Sequence, residues 1–354
     1  MFTIIRQHAE QQFQHELQLL AAHDQYERPL NWQLSPRAVL AFISGTQIGD
    51  TLIEAKYFGA RHLIETCIAT LASDRALLLL GIPGTAKTWL SELLAAAISG
   101  DSTRLVQGTS GTVEEALKYG WNYARLLTEG PTEQAIVPSP IMTAMRDGSI
   151  ARVEELTRMA SDVQDTLISI LSEKTIAIPE LGHELQAISG FNLIATANNR
   201  DKGINDLSSA LKRRFNTVIL PVPETFEEEV HIVETRARAV AQTLHLPPEI
   251  AIKDEVQRVV QIFRELRSGR TTDSKTSIKQ PTATLSPAEA ISVITHGMSM
   301  ATWFGDGQLS AAHIANSLNG TIVKEPSSDS QVWSEYIETV IKRRPQWQDL
   351  ADVL

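Results

Sequence analysis

Leu77-Leu-Leu-Leu80-Gly81-Ile82-Pro83-Gly84-Thr85-Ala86-Lys87-Thr88-Trp89-Leu90-Ser91-Glu92-Leu93 is the stretch whose reading decides the fold. With Ala76, its first part is a short unbroken apolar run, the pattern of a strand buried on both faces of a parallel sheet. From Trp89 onward it reads as a helix. The loop between them carries little side-chain bulk. Backbone N–H groups can therefore surround a phosphate, at the N-terminus of a helix that favours an anion. In that setting Lys87 reaches the β- and γ-phosphates of a nucleotide, and the Thr88 hydroxyl holds Mg²⁺. The candidate phosphate-binding set is Gly81, Ile82, Pro83, Gly84, Thr85, Ala86, Lys87, Thr88 and Trp89. Ala86 departs from the common pattern, which has Gly before the lysine. Taken alone, the stretch also fits a strand-turn-helix with a chance Lys-Thr.

Working outward, Leu105-Val106, the residues around Ile150–Val153, Phe191–Ala195 and Val218–Leu220 are further short strand candidates. Helical stretches lie between several of them, and this alternation predicts a doubly wound α/β domain with a parallel sheet. After Pro221-Val222-Pro223 the strand signals stop. Residues 224–243, 254–266, 287–300 and 330–343 read as helices, the last with Trp333, Ile337 and Ile341 on one stripe. Between them, Ser268 to Thr284 is polar and Pro-containing and is expected to be a mobile loop. Upstream, residues 3–24 suit a solvated helix. Ser35-Pro36 opens a second helix as N-cap and first residue, with Gly45 as its stop. A third spans 59–72, with Leu63, Cys67 and Leu71 four apart. The division expected is a helical N-terminal region (1–55), an α/β core (56–223) and a helical C-terminal domain (224–354).

Bulk properties narrow the function. A length of 354 residues suggests two or more domains. The net charge of −10 argues against direct binding of nucleic acid over the whole surface. The single cysteine, Cys67, forms no intrachain disulfide, and without a Cys/His cluster a structural zinc site is not expected. The N-terminus lacks the apolar core of a secretory signal. The run from Ala76 to Gly81 is far short of the ~20 residues that span a bilayer. A cytoplasmic protein with no membrane contact is expected.

Three further motifs follow the loop. Ser149-Ile-Ala-Arg-Val-Glu154-Glu155-Leu156 reads as a strand ending in paired carboxylates, which in isolation are equally ordinary acids at a helix start. Phe191-Asn-Leu-Ile-Ala-Thr-Ala-Asn198-Asn199 is a strand ending in an amide able to orient a water. Leu207-Ser-Ser-Ala-Leu-Lys-Arg213-Arg214-Phe215 places arginine at a helix end just before a strand.

In this order and at these separations the four motifs resemble the AAA+ superfamily of P-loop ATPases, and within it the MoxR-like branch. Ala before the lysine is a habit of that branch. Pro138-Ser-Pro-Ile-Met-Thr-Ala-Met-Arg-Asp-Gly and the run from Glu154 to Glu173 are further echoes. The similarity covers roughly 56–225 and, more loosely, the helical tail; residues 1–50 match nothing. The resemblance implies an AAA+ α/β core with a parallel sheet flanked by helices, plus an α-helical lid, assembled as a ring, usually a hexamer. It implies ATP and Mg²⁺ as ligands, with Thr88 and Glu154 on the metal side, Glu155 as base and Asn198 beside it. Arg214, or less favourably Arg213, would act on a neighbour's nucleotide, and Arg158 would face the same interface. Such proteins act as chaperone-like remodellers or activators, often of a partner carrying a von Willebrand factor A domain.

Two positions depart from the relatives. Glu154 replaces Asp, and in Leu285-Ser-Pro-Ala288 an alanine stands where relatives have an arginine for the γ-phosphate; Arg267 and Arg270 are nearby but out of register. The leading expectation is an ATP-hydrolysing remodeller. The alternatives are a nucleotide-gated scaffold with little hydrolysis, or the motor of a nucleic-acid-processing complex.

Overall fold

Alternate residues of the decisive strand go to opposite faces. In the computed structural model, which describes residues 6–198, 205–274 and 276–354, this strand is β1 (Ala76–Gly81). Leu77 and Leu79 enter one hydrophobic cluster, while Ala76 and Leu78 enter another. That two-sided burial is what the unbroken apolar run predicts. With β2 (Leu105–Gln107), β3 (Ile150–Glu154), β4 (Asn192–Asn198) and β5 (Phe215–Ile219) it forms a five-stranded sheet in the order β5-β1-β4-β3-β2. Every pair in it is parallel.

Contacts divide the chain into two units: Gln7–Gly81 with Ala86–Leu220, and Pro221–Leu354 grouped with Ile82–Thr85. In the first, helices α1 (Pro36–Ser44), α2 (Arg61–Leu71) and α3 (Lys87–Ser99) pack on the Leu77/Leu79 face of the sheet. Ser35 caps α1 by accepting from the Ala38 N–H, and Gly45 closes it at φ 83°, as read from the sequence. The buried stripe of α2 is Ile64, Cys67, Ile68 and Leu71, with Leu63 only half-buried. Burial pushes the Cys67 thiol up to about 12.

Helix α3 is buried nearly all round, from Leu90 to Ile98. It can be so because the N-terminal segment covers the side away from the sheet. The N–H of Ala9 donates to the buried Glu92 at 3.2 Å, and Phe13 packs edge-on against Phe42 and Trp89. The single solvated helix expected over 3–24 is thus replaced by two, Ala9–Gln12 and Gln14–His23, which meet at Phe13 and bury Ala9 and Leu20. Three antiparallel strand pairs had no counterpart in the sequence reading: Thr46–Ile48 with Thr51–Ile53, Tyr119–Trp121 with Ile136–Pro138, and Thr175–Ile178 with His183–Gln186. Strands of three or four residues on a half-exposed surface are too short to show a period of two.

The second unit is helical: α4 (Phe226–Thr243), α5 (Lys253–Ser268), α6 (Pro287–Phe304), α7 (Ala311–Ile322) and α8 (Pro326–Thr339). They share one core that includes Val233, Val259, Phe263, Ile294, Leu318 and Tyr336. Helix α7 escaped the sequence reading, and α8 begins at Pro326 rather than Ser330. Buried Glu229 on α4 accepts from Arg264 and Arg267 of α5 at 2.9 and 2.8 Å, which ties the two helices together. The polar stretch 268–284 is held at both ends. Arg270 and Ser277 form an isolated bridge, and Thr282 donates through N–H and Oγ1 to Asp329 at 2.9 and 2.7 Å. Burial would raise the Asp329 carboxyl. The donors from Glu325, Thr282 and Lys324 outweigh it and hold the group at about 2.

Glu255 on α5 is the opposite case. One carboxylate oxygen is buried without a hydrogen-bond partner among the described residues, and Arg258 lies 3.6 Å from the other. Burial, with Asp349 and Asp254 assisting against Arg258, pushes the group up to about 6 from an ordinary value of 4.5. A raised carboxyl destabilises the fold once ionised, so its cost develops as pH rises from about 4.5 through about 6. Glu255→Gln is therefore expected to stabilise the chain by about 1–2 kcal/mol at pH 7.5. The gain should vanish below about pH 4.5. Denaturant melts of both proteins across this range measure it; equal midpoints at pH 7.5 would refute it.

Candidate nucleotide site

The phosphate loop ends in a strained residue. Ala86, the N-cap of α3, has φ 60° in the left-handed region, a conformation that costs a residue with a Cβ roughly 1–2 kcal/mol. Gly84 at φ 81° adopts a similar backbone without that cost. The strain turns the chain so that α3 starts at Lys87. The first N–H groups of a helix have no partner within it and suit an anion. Lys87 is buried at the helix start, its ammonium 3.1 Å from the Gly81 carbonyl. Trp89 points away from this turn, its indole N–H donating to the Lys56 carbonyl at 3.0 Å.

Behind Thr88 lies Glu154, the last residue of β3, 2 % exposed. Its Oε2 accepts from Thr88 Oγ1 at 2.8 Å and Thr196 Oγ1 at 2.6 Å. Its Oε1 accepts from Ser91 Oγ at 2.5 Å and Arg152 Nη2 at 3.0 Å. A carboxylate has about four lone-pair positions, so all are taken by the chain itself. Glu154 therefore reaches any metal through Thr88. Among the described residues no three His, Cys, Asp or Glu gather as a metal cage. The hydroxyl of an exposed threonine, backed by one carboxylate, is a hard oxygen set that suits Mg²⁺, which takes few protein ligands alongside phosphates.

Glu155 follows at φ 56°, another left-handed residue without the freedom of glycine. Its N–H donates to Thr196 Oγ1 at 3.1 Å, and its carboxylate accepts from Asn198 Nδ2 at 3.1 and 3.0 Å. Sheet register makes this meeting possible: Asn198 pairs with Gly81, Ala195 with Val153, and Gln107 with Glu154. The residues read separately as loop, acid pair and amide are thus brought together at the C-terminal ends of β1, β3 and β4. Asn199, quoted in the amide motif, lies outside the described residues.

The two arginines differ. Arg214 is half-buried, donating from Nε to Ser172 Oγ and from Nη1 to the Ala210 carbonyl, both at 2.5 Å; Arg213 and Arg158 are exposed. In the helical unit Ala288 is an exposed residue in the first turn of α6, beside the Ser286/Glu289 capping box. Arg267 is bound to Glu229 and, at 2.7 Å, to the Leu285 carbonyl, while Arg270 is exposed.

Four contributors escaped the sequence reading. Ser91 and Thr196 are small hydroxyls with no distinguishing pattern. Arg152 carried a signal: a cation in a buried strand, two residues before Glu154, must share its face. Gly108 did not, because its role is steric. Its N–H donates to the Glu154 carbonyl at 2.7 Å, and a Cβ there would fall 2.5 Å from the Glu155 carbonyl oxygen. Gly108→Ala must displace the acid pair, at a cost of about 1–3 kcal/mol. Gly120→Ala, where a Cβ meets nothing within 4 Å among the described residues, should stay within about 0.5 kcal/mol. Urea unfolding of the two variants side by side provides the check; equal midpoints would show that this approach is not tight.

Comparison with known proteins speaks to family and fold. Residues 76–215 match the AAA domain (dynein-related subfamily), and residues 227–351 match the YehL-like AAA+ ATPase C-terminal domain. The uncharacterized protein YehL of Escherichia coli K12 is 40% identical over 342 residues, covering 94% of this chain and 92% of that one. Among solved structures, NtrX from Brucella abortus in complex with ATP superposes with a TM-score of 0.51 at 13% identity, covering 81% of this chain and 59% of that chain. This is a likeness of fold. The helical tail, loosely placed by motif resemblance, is thus within the reach of a family profile. The chain belongs to the YehL family of AAA+ ATPases, within the P-loop NTPases.

Proposed function

We propose that this chain binds ATP with Mg²⁺ and hydrolyses it, and that it uses the cycle to remodel or activate a partner protein. The observation that carries this reading is the convergence of Lys87, Thr88, Glu154, Glu155 and Asn198 at neighbouring strand ends. Lys87 and the N-terminus of α3 would bind the phosphates. Thr88, held by Glu154, would hold Mg²⁺, which when bound neutralises phosphate charge. Glu155 would accept the proton of the attacking water, oriented by the Asn198 amide. Arg214 of an adjacent copy would stabilise charge on the transferring group. Assembly as a hexameric ring, action in the cytoplasm and a partner with a von Willebrand factor A domain are part of the proposal. The ring and the partner rest on the motif resemblance to MoxR-like proteins. No helix among the described residues is long and apolar enough to cross a membrane.

A second reading has one observation in its favour. Asn198 engages both oxygens of Glu155, so the base is occupied in the isolated chain. A nucleotide-gated switch with slow hydrolysis would look the same. Steady-state ATP turnover separates the two. The enzyme reading expects Glu155→Gln to lower turnover about 10²–10⁴-fold. Arg214→Ala should lower it about 10³-fold or more in the assembled state, with Arg213→Ala milder. Lys87→Ala should lose nucleotide binding. Wild type that binds ATP but turns over no faster than Glu155→Gln establishes the switch instead.

A further inference from the structure

Arg152 stands in a strand whose other residues are buried apolar side chains or the acid itself. Ile150, Ala151 and Val153 are fully buried, and Arg152 is 3 % exposed. All three nitrogens of its guanidinium donate. Nε donates to Ser91 Oγ at 3.0 Å, Nη1 to the Ser102 carbonyl at 3.0 Å, and Nη2 to the Thr88 carbonyl at 3.1 Å and Glu154 Oε1 at 3.0 Å. A buried ion pair gives little stability over well-packed apolar residues of the same volume. Stability alone is thus a weak reason for this one, and its partners suggest a better reason. Thr88 and Ser91 are in the first turns of α3, and Glu154 is the acid that backs the Thr88 hydroxyl. One planar cation holds the metal-side wall of the site from behind, and cancels its one carboxylate charge where water cannot screen it.

We propose that Arg152 is a positioning residue for the Mg²⁺-nucleotide site, pre-setting Thr88 and Glu154 and neutralising that wall. Mg²⁺ then contributes less to nucleotide binding than a lone carboxylate would allow. The proposal rests on the nucleotide reading above. It assigns two separable roles to Arg152: charge, which any cation supplies, and fork geometry, which only arginine supplies.

The test measures binding of a fluorescent, non-hydrolysable ATP analogue to the full chain while Mg²⁺ is raised from EDTA conditions to saturation. Wild-type affinity should rise by less than about tenfold. Arg152→Gln, which removes the charge but keeps a donor for Glu154, should lower the half-effective Mg²⁺ concentration about tenfold. Arg152→Lys, which keeps the charge and loses the fork, should stay within about twofold of wild type. Thermal stability should fall in both variants, so it cannot mimic the difference between them. Equal Mg²⁺ dependence in Arg152→Gln and Arg152→Lys overturns the proposal, whatever their stabilities. A wild-type rise above about tenfold does so as well, even where a variant fails to fold. Wild type that binds the analogue at no Mg²⁺ concentration overturns the nucleotide reading and this proposal together, whereas binding with a steep Mg²⁺ dependence overturns this one alone.

Discussion

Arg152 and Glu154 are opposite charges sealed from water between α3 and the sheet, and the fit of the first unit is built around satisfying them. A buried charge left without partners costs several kcal/mol, so every group they need must be in place at once. Those groups come from the first turns of α3 (Thr88, Ser91), from the segment after it (Ser102) and from β4 (Thr196). The requirement fixes the register of β4 against β3 and the depth at which α3 packs. A slip of one residue in β3 would turn both charges to the opposite face and into the cluster around Ala151 and Val153.

The same arrangement explains why the chemistry gathers where it does. Parallel strands end on one edge, so residues at their ends are brought together across the sheet. Gly81, Glu154 and Asn198 are all such last residues. Beyond them the backbone bends through left-handed residues, Ala86 after β1 and Glu155 after β3. Strain of this kind persists only where its surroundings over-determine it. Here the helix start at Lys87 and the hydrogen bonds of Glu155 to Thr196 and Asn198 do so.

What the sequence made legible follows physical lines. Long buried strands and amphipathic helices announce themselves by period, so the five strands of the sheet, α1, α2 and four helices of the second unit were readable. The α1 cap was readable because Ser35-Pro36 satisfies a helix start by local chemistry. The short antiparallel pairs were not, since strands of three or four residues are too short to show a period. The N-terminal segment was misread as solvated because its polar residues outnumber its apolar ones, and Ala9 is buried at a helix 83 positions away. At the site, residues with intrinsic chemistry in a recognisable order were found. Those acting through space alone were not: Gly108 by having no side chain, Ser91 and Thr196 by being small. Arg152 was visible in the text but meaningless until Glu154 was seen to share its face.

The lone thiol has a practical side. Cys67 is the chain's single cysteine, lies against the fully buried stripe of α2, and keeps its proton far beyond neutral pH. A thiol that is neither exposed nor ionised reacts poorly with alkylating reagents. Nature has thus left the folded protein as a blank background for site-directed labelling. A dye or spin label placed through one new surface cysteine would report from that position alone, without first engineering the native cysteine away.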